Sequence, residues 1–218
     1  MSNTQNVSLN AITAALAKNL NPSLVYTTTA NENVAEDLAD IVNKHALGAA
    51  AAGLGVAWLP GAGSLAAAAA VAGFLWSMYF RINNRIGLKL SKVMLKSLAS
   101  AVLSNLAQAA ISITGYSLLA SVVSLTGVGG VISSALMAAL DYAVVLVGGI
   151  IYLKLLNGLF AVGRNPQDMT EEEIKLASKD VIADSNVSQM LKNARDEYKQ
   201  MSKAGKATLD SKLELEED

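Results

Sequence analysis

The sequence predicts an all-α protein built of membrane-associated helical hairpins, with amphipathic soluble helices at both ends. Three observations lead there. Hydrophobic residues make up 52% of the 218 and charged residues 16%, whereas soluble domains usually carry about 25% charged residues. Two runs, 46–80 and 97–140, contain no Asp, Glu, Lys or Arg over 35 and 44 residues. Soluble helices keep a polar face for water, so runs of this length point to a lipid environment. Outside residues 46–160, apolar residues instead recur every three or four positions, the spacing of a one-sided helix.

Charge follows the same division. The net charge of −1 conceals −2 in residues 1–45, +5 in 46–160 and −4 in 161–218. These boundaries define three expected regions: amphipathic N-terminal helices, an apolar membrane-associated domain, and a soluble helical tail with an acidic end. The first 45 residues lack a basic segment followed by an apolar one, so a cleavable secretory signal is not expected.

Taken in order, Val7, Ile12, Leu16 and Leu20 share one face of a first helix, stopped at Asn21-Pro22. A second runs from Asn33 to His45, with Val34, Leu38 and Ile41 opposite Glu36, Asp37 and Asp40. His45, beside Lys44, reads as a solvated residue where the apolar block begins. The block is then broken by Pro60, Gly61 and Gly63, because proline and paired glycines do not sit easily inside a helix. The two legs around this turn fall short of the ~30 Å hydrocarbon thickness. Trp76 and Tyr79, followed by Arg81, resemble an interfacial aromatic anchor next to the cytoplasmic leaflet.

Arg81, Arg85, Lys89, Lys92 and Lys96 recur at spacings of three or four and are expected to cluster on one helical face. Flanked by apolar segments and lacking interleaved aromatics, this run suits anionic headgroups rather than nucleic acid. Leu88, Leu95, Leu98, Val102, Leu106 and Ile113 form the apolar face of the next helix. Gly127, Gly129 and Gly130 make a second turn. The following leg, 131–153, is 23 residues, or about 34 Å at 1.5 Å per residue, and alone can cross a bilayer. Cations at 81–96 and at Lys154 and Arg164 then imply an even number of crossings, with both termini in the cytoplasm and the inner membrane as location.

Asp141 is the one acid inside that leg. An ionised carboxylate at mid-bilayer costs roughly 2.5–3.5 kcal/mol on insertion scales, so it should face protein and find a partner. Tyr142, Lys154 or an arginine of 81–85 could serve, for either an ion or proton site or a structural polar lock. In the tail, Thr170 and Glu173 have capping-box spacing. Ser185 can start a last helix with Val187, Met190, Leu191, Ala194, Tyr198 and Met201 on one face, ending at Gly205.

No enzyme is expected, and no catalytic, cofactor or metal site. There is no cysteine and one histidine, which leaves no thiolate chemistry and no cluster of transition-metal ligands. The Gly61-Ala62-Gly63-Ser64-Leu65-Ala66 string matches a dinucleotide fingerprint but lacks the preceding strand and the acid about 20 residues on. Pairs such as Ala49/Gly53, Ala69/Gly73 and Ala135/Ala139 permit close helix approach and a homo-oligomer.

The order of features in 46–160 resembles the YcjF-like domain, a bacterial membrane-associated helical domain of unknown function often found with small GTPases. The resemblance rests on Pro60-Gly61, Phe80-Arg81 to Arg85, Ile86-Gly87-Leu88-Lys89-Leu90-Ser91-Lys92, the glycine turn at 127–130 and the Ala-Leu-Asp-Tyr-Ala around Asp141. It implies a membrane-anchored scaffold working through self-association or a partner such as a GTPase, although this chain carries no GTPase domain. A pore-forming protein that inserts its apolar hairpins is the alternative.

Overall fold

The computed structural model describes residues 8–20, 33–56, 63–114 and 134–207, and among these every regular element is helical. Pro60, Gly61, Gly127, Gly129 and Gly130 lie outside the described residues; Gly63 is the first residue of a helix. The helices are α1 (Leu9–Asn19), α2 (Val34–Val56), α3 (Gly63–Ile86), α4 (Lys92–Thr114), α5 (Ser134–Ala161), α6 (Glu171–Asp184) and α7 (Val187–Lys203). A short 3-10 turn, Pro166–Asp168, precedes α6.

Local chemistry accounts for the boundaries. At the end of α3, Gly87 takes φ 73°, the left-handed conformation that glycine adopts without a Cβ clash. The Leu88 N–H then reaches the Asn83 carbonyl (2.8 Å) and the Gly87 N–H that of Asn84 (3.3 Å), a Schellman closure that satisfies otherwise orphaned carbonyls. Ser91 Oγ accepts from the Met94 N–H at 3.1 Å to start α4. The expected capping box opens α6: Thr170 Oγ1 accepts from the Glu173 N–H, and the Glu173 carboxylate accepts from the Thr170 N–H. Asn186, not Ser185, caps α7 by accepting from Gln189. Gly205, at φ 68°, closes α7 as its position predicts.

The sequence ends its second helix at His45, yet that position lies inside a helix. The second helix continues unbroken to Val56, because Leu38, Val42, Ala46, Ala49 and Ala50 extend one buried stripe across the boundary. Helix α3 likewise carries Arg81 and Arg85 to its end.

Helix α5 is the axis. Its 28 residues amount to about 42 Å of helix, and residues 138–153 are buried on every side. Helices α1, α2, α3, α4 and α7 form a closed ring around it, each packing on the next, while α6 packs on α4 and α5. Helix α3 runs parallel to α5, with Tyr79 near Gly148 and Asn83 at Tyr152. Helices α2 and α7 run antiparallel to it, as His45–Ser77 with Arg85–Asp37, and Lys154–Ser185 with Tyr142–Tyr198, require. The C-terminal ends of α2 and α4 and the N-terminal ends of α3 and α5 therefore gather at one end of the bundle. All four lie within the two charge-free runs. The charged turn between α3 and α4 sits at the opposite end.

Two glycines let α5 approach the ring. A Cβ at Gly149 would meet both Val42 methyls (2.7 and 3.0 Å) and Met78 Sδ (3.1 Å); at Gly148 it would meet one Leu75 methyl at 2.4 Å. Val42 is β-branched and stiff, whereas the end of Leu75 can rotate. Gly149→Ala is therefore expected to lower stability by about 1–3 kcal/mol, and Gly148→Ala by less. Gly158→Ala, with nothing within 4 Å, should raise it by about 0.5–1 kcal/mol through helix propensity. Urea midpoints at unchanged m-value check this order, and equal losses at 149 and 158 would contradict the packing.

Candidate functional site

Helix α5 and the side chains that hold its sheath are the candidate site. Residues Ala135–Ala161 form the one helix among the described residues that is long and apolar enough to cross a membrane. A helix that is apolar all round must be enclosed by protein or by lipid. Here it is enclosed by protein, and α7 and the first half of α2 turn charged side chains outward. On α7, Val187, Leu191, Ala194 and Tyr198 are buried while Lys192, Lys199 and Gln200 are exposed. On α2, Asp40 and Lys44 pair at 2.7 Å on the outside.

The narrowest contact in the ring is α1 on α7, and one carboxylate pins it. Glu197 of α7 accepts from Ser8 Oγ (2.9 Å), the Leu9 N–H (3.2 Å) and Asn10 Nδ2 (2.8 Å). It caps the first turn of α1 from across the bundle, where the helix dipole favours negative charge. The opposite end of α1 is held by Asn157 Nδ2, which donates to the Leu16 carbonyl at 2.9 Å.

Asp141 is buried, at 3% exposure. Of the partners expected from sequence, Lys154 Nζ donates to Ser185 Oγ (3.0 Å) and Arg85 holds Asp37 (2.6 Å). A separation of 13 residues puts Lys154 about 20 Å along the axis from Asp141. Tyr142, the third expected partner, tilts against Tyr198, with ring centroids 5.1 Å apart. The Tyr198 hydroxyl pKa is raised by burial and, secondarily, by the charge of Asp141.

Trp76 and Tyr79 are core residues rather than a surface anchor, 6% and 0% exposed. Tyr79 stacks on Tyr152 at 4.2 Å and donates to the Gly148 carbonyl at 3.1 Å. Tyr152 donates to Asn83 Oδ1 at 2.5 Å. The expected five-cation face is divided: Arg81 and Arg85 belong to α3 and are half-buried, while Lys89 stands in the turn and Lys92 and Lys96 are exposed on α4. Gly87 ends the first helix, so one helical periodicity cannot run through all five.

His45 is also buried, at 1% exposure. Its Nδ1 lies 2.7 Å from the Ile41 carbonyl, which can only accept, so Nδ1 carries the proton and Nε2 accepts from Ser77 Oγ at 3.2 Å. Burial first, and nearby Arg81 after the opposing Ile41 bond, lower its pKa from 6.5 to about 4. The helical spacing could have found this histidine, because position 45 follows Val34, Leu38 and Ile41 at intervals of three and four and continues the buried α2 stripe.

No group of three or more His, Cys, Asp or Glu suited to a metal ion occurs among the described residues. No family model, curated protein or solved structure matches the chain.

Two tests follow from this geometry. His45 is neutral when folded and takes a proton more readily when unfolded. Its contribution is therefore complete above the unfolded pKa of 6.5 and is lost as pH falls towards about 4. This contribution should total about 3 kcal/mol, read as the difference between the wild-type and His45→Gln stability profiles, in which the other titrating groups cancel. Glu171 and Glu173, whose pKa values are lowered by hydrogen bonds, act below 4.5 and so separate from it. Glu197→Ala should cost about 1–2 kcal/mol, as loss of a cap does, and raise hydrogen exchange in α1 before α2 or α3; uniform exchange would refute the clasp.

Proposed function

We propose that the chain is a non-enzymatic membrane-anchoring helical module that stores a spanning helix, α5, inside a removable sheath. The observation that carries this reading is the enclosure of an apolar helix of spanning length, interrupted by Asp141, within a ring that includes α7, which is apolar inward and charged outward. Transfer of α5 to a bilayer would exchange one apolar enclosure for another. The outward charges of α7 could not follow it into hydrocarbon, so α1 and α7 must swing aside at the Glu197 seam. The charge-free ends of α2–α3 and α4–α5 lie together and would enter first. The α3–α4 turn would stay in the headgroups, with the termini in the cytoplasm.

Assembly through a second copy, or through a partner such as a GTPase, is part of the proposal; the small-residue spacings and the YcjF-like resemblance support it. A second reading is a permeabilising protein, since a sheathed spanning helix also suits conversion from a soluble to an inserted form. The sparsity of charge on the legs favours anchoring over an open aqueous pore.

Extraction of cell membranes in alkaline carbonate tests the common element. The full chain should remain with the membrane, and complete release would defeat both readings. On dye-loaded liposomes, binding without leakage supports the anchor and leakage supports the second reading. Asp141→Leu should increase the retained fraction more than Asp141→Asn, because each relieves part of the cost of placing a carboxylate in lipid.

A further inference from the structure

The turn between α3 and α4 presents a basic surface that the buried arginines do not share. Lys89, Lys92 and Lys96 are exposed, and Val93 between them is 70% exposed, one of three large hydrophobic residues so exposed among the described residues.

Beneath the lysines lies Trp76. The Lys92 and Lys96 Nζ atoms stand 5.8 and 4.9 Å from its ring centroid, within cation–π range. The indole Nε1 is buried without a hydrogen-bond acceptor, although buried indole N–H groups usually have one. Movement of the two lysine chains away from the ring would uncover an amphipathic indole with an unused donor. Phosphate and ester oxygens of a lipid headgroup are acceptors of the matching kind, and indoles favour that depth of a bilayer.

We propose that Lys89, Lys92, Lys96, Val93 and Trp76 form a docking face for an anionic lipid surface, engaged before α5 is uncovered. The proposal rests on the membrane-anchoring reading and deepens it by naming the lipid class and the contact residues. Cations supply the attraction to anionic headgroups, Val93 provides a shallow apolar contact, and Trp76 becomes the interfacial residue only after its lysine cover moves. The face stands at the root of both charge-free hairpins, so it can remain in the headgroups while their far ends enter.

Flotation of the full chain with vesicles of phosphatidylcholine alone, or with 30 mol % phosphatidylglycerol, at low and high salt tests this. Wild type should prefer the anionic vesicles, and salt should weaken that preference. Each Lys→Gln change should lower affinity about fivefold, and K89Q/K92Q/K96Q on the order of a hundredfold, without altering binding to neutral vesicles. The corresponding Lys→Arg variant should retain binding. In a Trp58→Phe background, Trp76 emission should shift on anionic vesicles only. If the triple variant misfolds, Lys89→Gln in the turn carries the test alone.

Unchanged anionic binding in folded Lys→Gln variants, or equal wild-type binding to both vesicles, would overturn this face and leave the anchoring reading standing. Wild type that binds neither vesicle overturns both. Retention on single-stranded RNA through the same lysines, with no anionic-lipid preference, would also overturn it in favour of a nucleic-acid surface.

Discussion

The rest of the structure depends on one constraint: α5 has no side that can face water. Sixteen consecutive residues, 138–153, are buried in all directions. A one-sided core helix can be satisfied by two neighbours, whereas this one requires a closed ring. The amphipathic character of α1, α2 and α7 follows from that demand, since each must supply an apolar stripe inward and solubility outward. Gly148 and Gly149 serve the same constraint by bringing the ring within contact of the α5 backbone.

The polar groups inside the bundle are arranged so that few disturb this enclosure. Thr13 returns its hydroxyl to the Leu9 carbonyl at 2.9 Å, His45 is bonded at both ring nitrogens, and the Tyr79, Tyr152 and Asn83 set is linked across α3 and α5. Trp76 Nε1 and Asn83 Nδ2 are buried without hydrogen-bond partners, and Asp141 is a buried carboxylate on the axis whose charge reaches Tyr198 of α7. Burial of an ionised carboxylate without a cationic partner is costly. The narrowest contact of the ring and the buried carboxylate of the axis thus both adjoin α7, which makes the α7 side the natural place for the sheath to open.

Much of the fold was legible in the sequence. The α7 face, the Thr170–Glu173 capping box and the Gly205 terminus are local devices, and each stands where its spacing puts it. The long apolar leg also appears, as α5, shifted at its start and extended past Lys154. What enclosed it was not legible. Periodicity identifies the apolar side of a helix but not whether lipid or another helix covers it. Trp76 and Tyr79 therefore read as an interfacial anchor when they are core. The five cations read as one face because their spacing was counted through Gly87, whose left-handed backbone ends α3. His45 read as a boundary residue because the change from polar to apolar composition coincided with it, although the buried stripe of α2 runs straight through.

The central claim is that α5 reaches a bilayer only after its sheath opens. The absence of native cysteines makes a direct measurement available: cysteines placed at Tyr142 and Tyr198, joined by a short cross-linker, would fix α7 to α5. Carbonate-resistant insertion into anionic liposomes would then be compared for the cross-linked and open forms of the same variant. The account predicts that the open form inserts and the cross-linked form stays extractable. Equal insertion of both would contradict it, because α5 would then enter the membrane with its cover in place, or not be the inserting element at all.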